Sequence, residues 1–379
     1  LNPTETLRHF ESKRDDMLAE LSELVAMETP SHDVEAISAF VARYRLALES
    51  AGLDCVEHTT PRGPCLTGEL PGEDPGIVLV GHSDTVWPHG TLDDRPPTLR
   101  DGKLFGPGVY DMKAGLCLIL AVVRFIAEHR VQLRRRLQVF IATDEETGSI
   151  SSQPLMDQVL STDATALVPE PPCPDGSVKI ERKGVGIYTI RIKGREAHAG
   201  VEPEKGISAI DEVSRLVLEL HGWSDSSRGI SLNVGRIEGG SASNVVAGEA
   251  KVVLDVRFER PEDGEDLHTR VLALRPSQPD ASIDIDGGIL FPPLVPTPKS
   301  RELAAMTCDI AEELGTRFGV GKSGGGSDGS YLASRGLTVI DGLGIDGSGA
   351  HATHEHIVAE RISFRAALMT RVVLALDEI

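Results

Sequence analysis

Residues 76–88 read GIVLVGHSDTVWP. The short apolar run from Gly76 to Val80 has the length and composition of a strand buried on both faces, as in parallel sheets covered by helices. It stops at Gly81 and then presents His82, Ser83 and Asp84. In an extended chain positions i and i+2 share a face, so His82 and Asp84 point the same way. The pattern recurs: RLQVFIAT runs out into Asp144-Glu145-Glu146, and Thr165-Ala166-Leu167-Val168 into Pro169-Glu170, while Asp111-Met112-Lys113 opens an apolar helix over 114–129. Strands alternating with helices predict an α/β domain whose working residues lie just past the carboxyl ends of the strands.

Outward from this centre, helical periodicity covers 4–26 and 34–49, and a Pro-rich irregular stretch spans 87–107. The character changes near residue 183. GVGIYTIRIKG (184–194) alternates strictly, as in a sheet with one wet face. Helix 207–222, strands 231–240 and 248–260, a helix around 265–273 and strand 281–286 follow. That order predicts a ferredoxin-like α+β insertion. FPPLVPTPKS (291–300) then leads back to a helix, RELAAMTCDIAEELG, and a strand, LTVIDGLG. The expected organisation is a discontinuous α/β catalytic domain, 1–182 and 296–379, interrupted by a smaller domain, 183–295.

Among the 379 residues, 58 Asp and Glu against 38 Lys and Arg give a formal charge of −20, which disfavours a nucleic-acid backbone as partner. The basic run Leu133-Arg134-Arg135-Arg136 reads as a solvated corner before a strand. No apolar stretch approaches the ~18 residues of a membrane span. The first residues lack the basic-then-apolar order of a secretory signal, which tilts the expected location toward the cytoplasm; with Leu1 first, a processed leader stays open. The five cysteines are scattered and never form CxxC, so neither a disulfide framework nor a thiolate zinc site is expected. GVGKS (319–323) resembles the end of a phosphate loop, but Thr316 stands where glycine is required. GGGSDG (324–329) suggests backbone passing close to a ligand.

Imidazoles and carboxylates are the ligands zinc accepts, and such a set can hold two metals with one carboxylate between them. Each residue also has a plainer reading. His82 can be a satisfied polar residue, Asp111 a helix N-terminal acid, Glu145-Glu146 a solvated turn, and Glu170 a surface residue. GSGAHATHEHI (347–357) supplies three histidines. Adjacent carboxylates can divide the work, one binding metal and the other taking a proton from water.

The stretches GHSDTV (81–86), GPGVYDMKAG (106–115), TDEETGS (143–149), VPEP (168–171), KGREAHAG (193–200), GGSASNVV (239–246), GGGSDGSY (324–331) and GAHATHE (349–355) resemble the successive motifs of the M20 metallopeptidase family, nearest its glutamate carboxypeptidase branch. The resemblance implies a zinc-peptidase-like catalytic domain with two Zn2+ per subunit, Co2+ or Mn2+ being substitutes, and an inserted dimerisation (lid) domain. It implies that His82 and Glu170 bind one metal, Glu146 and His351 the other, and that Asp111 bridges them. Glu145 becomes the general base and Asp84 the partner of the His82 ring. Spacing to Glu355 selects His351, with His354 as runner-up and His356 as a surface residue.

By the same resemblance, His198 stabilises the reaction intermediate across a homodimer, Asn244 contacts substrate, and Gly325 and Gly326 lie beside it. Arg257 either meets a substrate carboxylate or is a solvated salt-bridge partner. The substrate implied is a short peptide or N-acyl amino acid, cleaved at the amide next to a free carboxylate. The branch's arginine is missing from DGGILFPPLVP (286–296), which argues against glutamate specificity. An aminoacylase or deacetylase is the neighbouring reading. A silent binding protein on the same scaffold is the third, and an intact Glu145 speaks against it. No nucleic acid or membrane partner is expected.

Overall fold

The computed structural model describes residues 2–379, which divide into two compact units. One is built from the chain up to Glu181 with Pro296–Ser323 and Ser327–Ile379; the other is Arg182–Val295 with Gly324–Gly326.

The larger unit is organised on an eight-stranded mixed sheet. Its parallel centre is formed by Arg135–Ala142, Glu73–His82, Thr165–Val168 and Thr338–Asp341, side by side in that order. Asp54–His58 and Cys65–Leu70 extend one side antiparallel; on the other, Val178–Arg182 pairs antiparallel with Thr338–Asp341, and Val320–Ser323 lies at the edge beyond it. Glu73–His82 is the strand at which the winding reverses: the next strand pairs on one side of it and the one after on the other. Ligands collect at the carboxyl ends beside such a reversal. Residues Gly76–His82 are all buried, as expected for a strand covered on both faces.

Ala114–Glu128 packs as a nearly wholly buried helix, so its apolar character is all-round rather than one-sided. The expected helix over 4–26 is two helices, Pro3–Ser12 and Arg14–Val25. Residues 11–16 are all exposed, so no apolar face holds the helix together where it breaks at Lys13. The basic corner is internally engaged: the Arg135 main-chain N–H donates to Asp377 and the Arg136 guanidinium pairs with Asp74. Among the described residues, no helix is long and apolar enough to cross a membrane.

The smaller unit is a four-stranded antiparallel sheet in the order Ser231–Gly239, Glu249–Phe258, Gly184–Lys193, Ser282–Phe291. With helices Ala209–His221 and Pro261–Leu272 intervening, this is the β-α-β-β-α-β ferredoxin-like arrangement. Both helices share one apolar core with one face of the sheet. Its last strand runs beyond the expected 281–286 because Gly287 tolerates φ +107; a Cβ there would lie 2.2 Å from the Ile187 carbonyl.

Candidate metal centre

Four adjacent strand ends deliver the residues of the site. His82 closes its strand opposite Ala142, after which Asp144, Glu145 and Glu146 form a tight turn. Val168 leads into Pro169-Glu170, and Thr338–Asp341 leads into the loop that carries His351. Asp111 comes from the irregular turn 109–113 that opens the buried helix.

Asp111 faces two imidazoles with its two oxygens. Oδ1 lies 3.4 Å from His82 Nε2, and Oδ2 lies 3.3 Å from His351 Nε2. His82 Nε2 also stands 3.4 Å from Glu170 Oε1, and His351 Nε2 3.0 Å from Glu146 Oε2. Glu145 joins His82 and Glu170 in one close group of donor atoms, and Asp111 and Glu146 join His82 in another.

This donor set fits cations. The Nδ1–H of His82 donates to the main-chain oxygen of Asp84 at 3.0 Å, which leaves Nε2, whenever the ring is neutral, to present a lone pair toward carboxylates that also offer only lone pairs. Accordingly, His82 Nε2 and Glu146 Oε1 are buried without a hydrogen-bond partner. Donors each about 2.0–2.2 Å from a shared tetrahedral zinc stand roughly 3.3–3.6 Å apart, close to the spacings seen here. The electrostatics agree. Burial and neighbouring acids push Glu145 well above the usual carboxyl range, and burial together with Asp111 pushes Glu146 to about 7. Burial works to lower the His82 pKa, but Asp111, Asp84 and Glu170 outweigh it and raise it; Asp111 and Glu146 raise His351 to about 10. Buried negative charge in excess is what a divalent ion relieves.

Glu170 is buried, not a surface residue, and so is Glu145. His351 adopts φ 60, a left-handed conformation unusual for a non-glycine residue, and aims its ring into the site. His354 is exposed, and His356 is a buried strand residue, its ring tilted against that of Phe105, rather than a surface one. Asp84 stands beside the His82 ring as expected and has a second task besides. Its carboxylate is 3.4 Å from His82 Nδ1, and accepts from the main-chain N–H of Glu145 (3.1 Å) and of Glu146 (3.2 Å). The Asp84 main-chain oxygen takes the ring N–H, with the carboxylate close behind it, and the same carboxylate holds the acid turn.

In the smaller unit His198 is exposed, its Nδ1 accepting from the Gly200 N–H, and its strand-like segment pairs with the one carrying Asn244. Arg257 already meets a carboxylate: Asp255 takes it through two bonds of 2.7 and 2.6 Å, which is the salt-bridge reading. The carbonyls of Gly325 and Gly326 accept from Arg182. A Cβ on Gly326 would lie 2.7 Å from the Phe291 ring, so packing accounts for glycine there.

Several buried residues around the centre have roles that their local sequence does not signal. Asp328 accepts from Ser149, Asp144 accepts from Ser151 and Ser152 behind the Glu145 turn, and Glu355 accepts from the Asp111 turn. Only Glu355 left a trace, as the landmark that selects His351. The thiols of Cys65 and Cys117 are buried with pKa values pushed up, which suits core residues rather than nucleophiles.

Residues 78–375 match peptidase family M20/M25/M40. Carboxypeptidase G2 of Pseudomonas sp. (strain RS-16) is 28% identical over 372 residues, covering 94% of this chain and 88% of that protein. A tripeptidase from Staphylococcus aureus superposes with a TM-score of 0.81 at 23% identity, covering 97% of this chain and 99% of its own. The Bacillus subtilis YXEP protein, a dinuclear metal-binding peptidase, gives a TM-score of 0.67 at 15% identity over 98% and 99% of the two chains.

Proposed function

Since the chain belongs to peptidase family M20/M25/M40 and is a hydrolase of the metallopeptidase kind, we propose that it uses two zinc ions to cleave the amide next to a free carboxylate. Its substrates are short peptides, cut at the C-terminal bond, or N-acyl amino acids. The observation that carries the two-metal count is Asp111, whose two oxygens each face a different imidazole. His82, Glu170 and Asp111 make one seat, and Asp111, Glu146 and His351 the other. When bound by these residues, two divalent ions would supply Lewis acidity toward the scissile carbonyl and the attacking water.

Glu145 takes the proton from that water as its oxygen bonds to the carbonyl carbon, and gives it to the nitrogen as the C–N bond breaks. Asp84 fixes the height of this base by holding the Glu145 and Glu146 N–H groups. His198, supplied by the partner of a homodimer formed through the inserted unit, stabilises the oxyanion. Asn244 and the backbone at Gly325 and Gly326 contact the substrate, while Asp255 competes for Arg257.

The test is amine release by the zinc-loaded protein from matched N-acyl amino acids, dipeptides and their carboxyl-amidated forms. The expected result is cleavage of the free acids and little of the amidated forms. Equal cleavage of both removes the carboxylate requirement, and preference for blocked single amino acids over dipeptides assigns an aminoacylase.

A further inference from the structure

Glu355 is 2% exposed and accepts four hydrogen bonds. Oε2 takes the N–H of Gly108 and the indole N–H of Trp87, both at 2.8 Å. Oε1 takes the N–H of Tyr110 at 2.9 Å and of Asp111 at 3.1 Å. An ionised carboxylate has about four lone-pair positions. All four are spent on N–H donors, so Glu355 is not a further metal ligand. Burial pushes its pKa upward, while the four donors work against that.

The donors come from two places that matter to the site. Three belong to the turn that delivers Asp111, including the Asp111 N–H itself. The fourth, Trp87, follows closely on His82 and Asp84 in the chain. Glu355 in turn belongs to the loop that carries His351, and the Glu355 carbonyl accepts from the Gly106 N–H. One side chain therefore ties together three segments that each bring a group to the centre.

We propose that Glu355 is a positioning residue that sets the spacing of Asp111 from His351, and with it the formation of the seat made by Asp111, Glu146 and His351. This rests on the two-metal reading above. A glutamine in its place keeps the volume but turns an amide N–H2 toward groups that can only donate. The His82 and Glu170 side of the centre, held through strand ends, depends on Glu355 less.

The experiment compares wild type, Glu355→Gln and Trp87→Phe, each metal-free and shown folded by circular dichroism, in titrations with Co2+. Bound metal and the visible cobalt absorption are both followed. Wild type is expected to take two equivalents. Glu355→Gln should keep the first and bind the second about tenfold or more weakly, the range seen when groups behind metal ligands are changed. Its cobalt spectrum should change, kcat should fall and KM should hold. Trp87→Phe, which removes one donor of four, should shift the second equivalent in the same direction by less.

A folded Glu355→Gln protein that binds both equivalents with wild-type affinity and spectrum overturns the proposal, even if it melts at a lower temperature. If that variant does not fold, Trp87→Phe decides by the same comparison, an unchanged second equivalent overturning it. A wild type that takes only one equivalent overturns the two-metal reading first, and this inference with it.

Discussion

Asp84 shows how much depends on which atom of a residue is at work. Its main-chain oxygen holds the His82 ring, and its carboxylate, fully buried, holds two N–H groups of the Glu145 turn. Asp84→Ala should therefore keep most of the metal affinity that His82→Ala loses outright. It should also cost stability, about 1–3 kcal/mol for each N–H left buried without an acceptor. Urea denaturation of the metal-free proteins, with metal uptake measured alongside, checks both. Equal loss of metal in the two variants would return Asp84 to the simpler role of ring partner.

Elements bring these residues together through close approach. Gly115, near the start of the buried helix, has room for no side chain: a Cβ would lie 2.2 Å from the Pro169 carbonyl and 2.7 Å from the Met112 methyl group. Gly115→Ala should cost about 1–3 kcal/mol as an overpacked site and displace Pro169-Glu170, weakening metal binding in the same variant. Denaturation and a metal titration read the two effects, and a neutral result would mean the backbone there yields freely.

The strand ends were legible because each is a local signal, an apolar run that stops at a polar group. The antiparallel strand Asp54–His58 was not, because its residues are half or fully exposed and carry no apolar run. The role of Glu355, visible in the sequence only as a landmark for His351, was illegible for a different reason. Its partners lie 244 to 268 residues away, and three of the four are main-chain N–H groups that carry no residue-type signature. The ferredoxin-like unit was legible from its order of alternating strands and helices, although Gly287 hid the length of the last strand.

At the scale of the whole molecule, the proposal that His198 acts across a homodimer predicts complementation. Glu145→Gln and His198→Ala should each be nearly inactive alone. Unfolded together and refolded as a mixture, they should recover roughly a quarter of wild-type sites, since half the dimers are hybrids with one intact site each. No recovery from a mixture shown to contain hybrid dimers would place His198 in its own subunit's site or in none.

The central claim is hydrolysis at a centre of two metals with Glu145 as the base. It is tested most directly by adding zinc stepwise to the metal-free protein and measuring bound zinc and amine release from an N-acyl amino acid in the same samples. The account predicts no release without metal and full release with two equivalents bound per chain. A parallel Glu145→Gln titration should bind both equivalents and release product about 10²–10⁴-fold more slowly. Release by the metal-free protein, or undiminished release by Glu145→Gln, would contradict it.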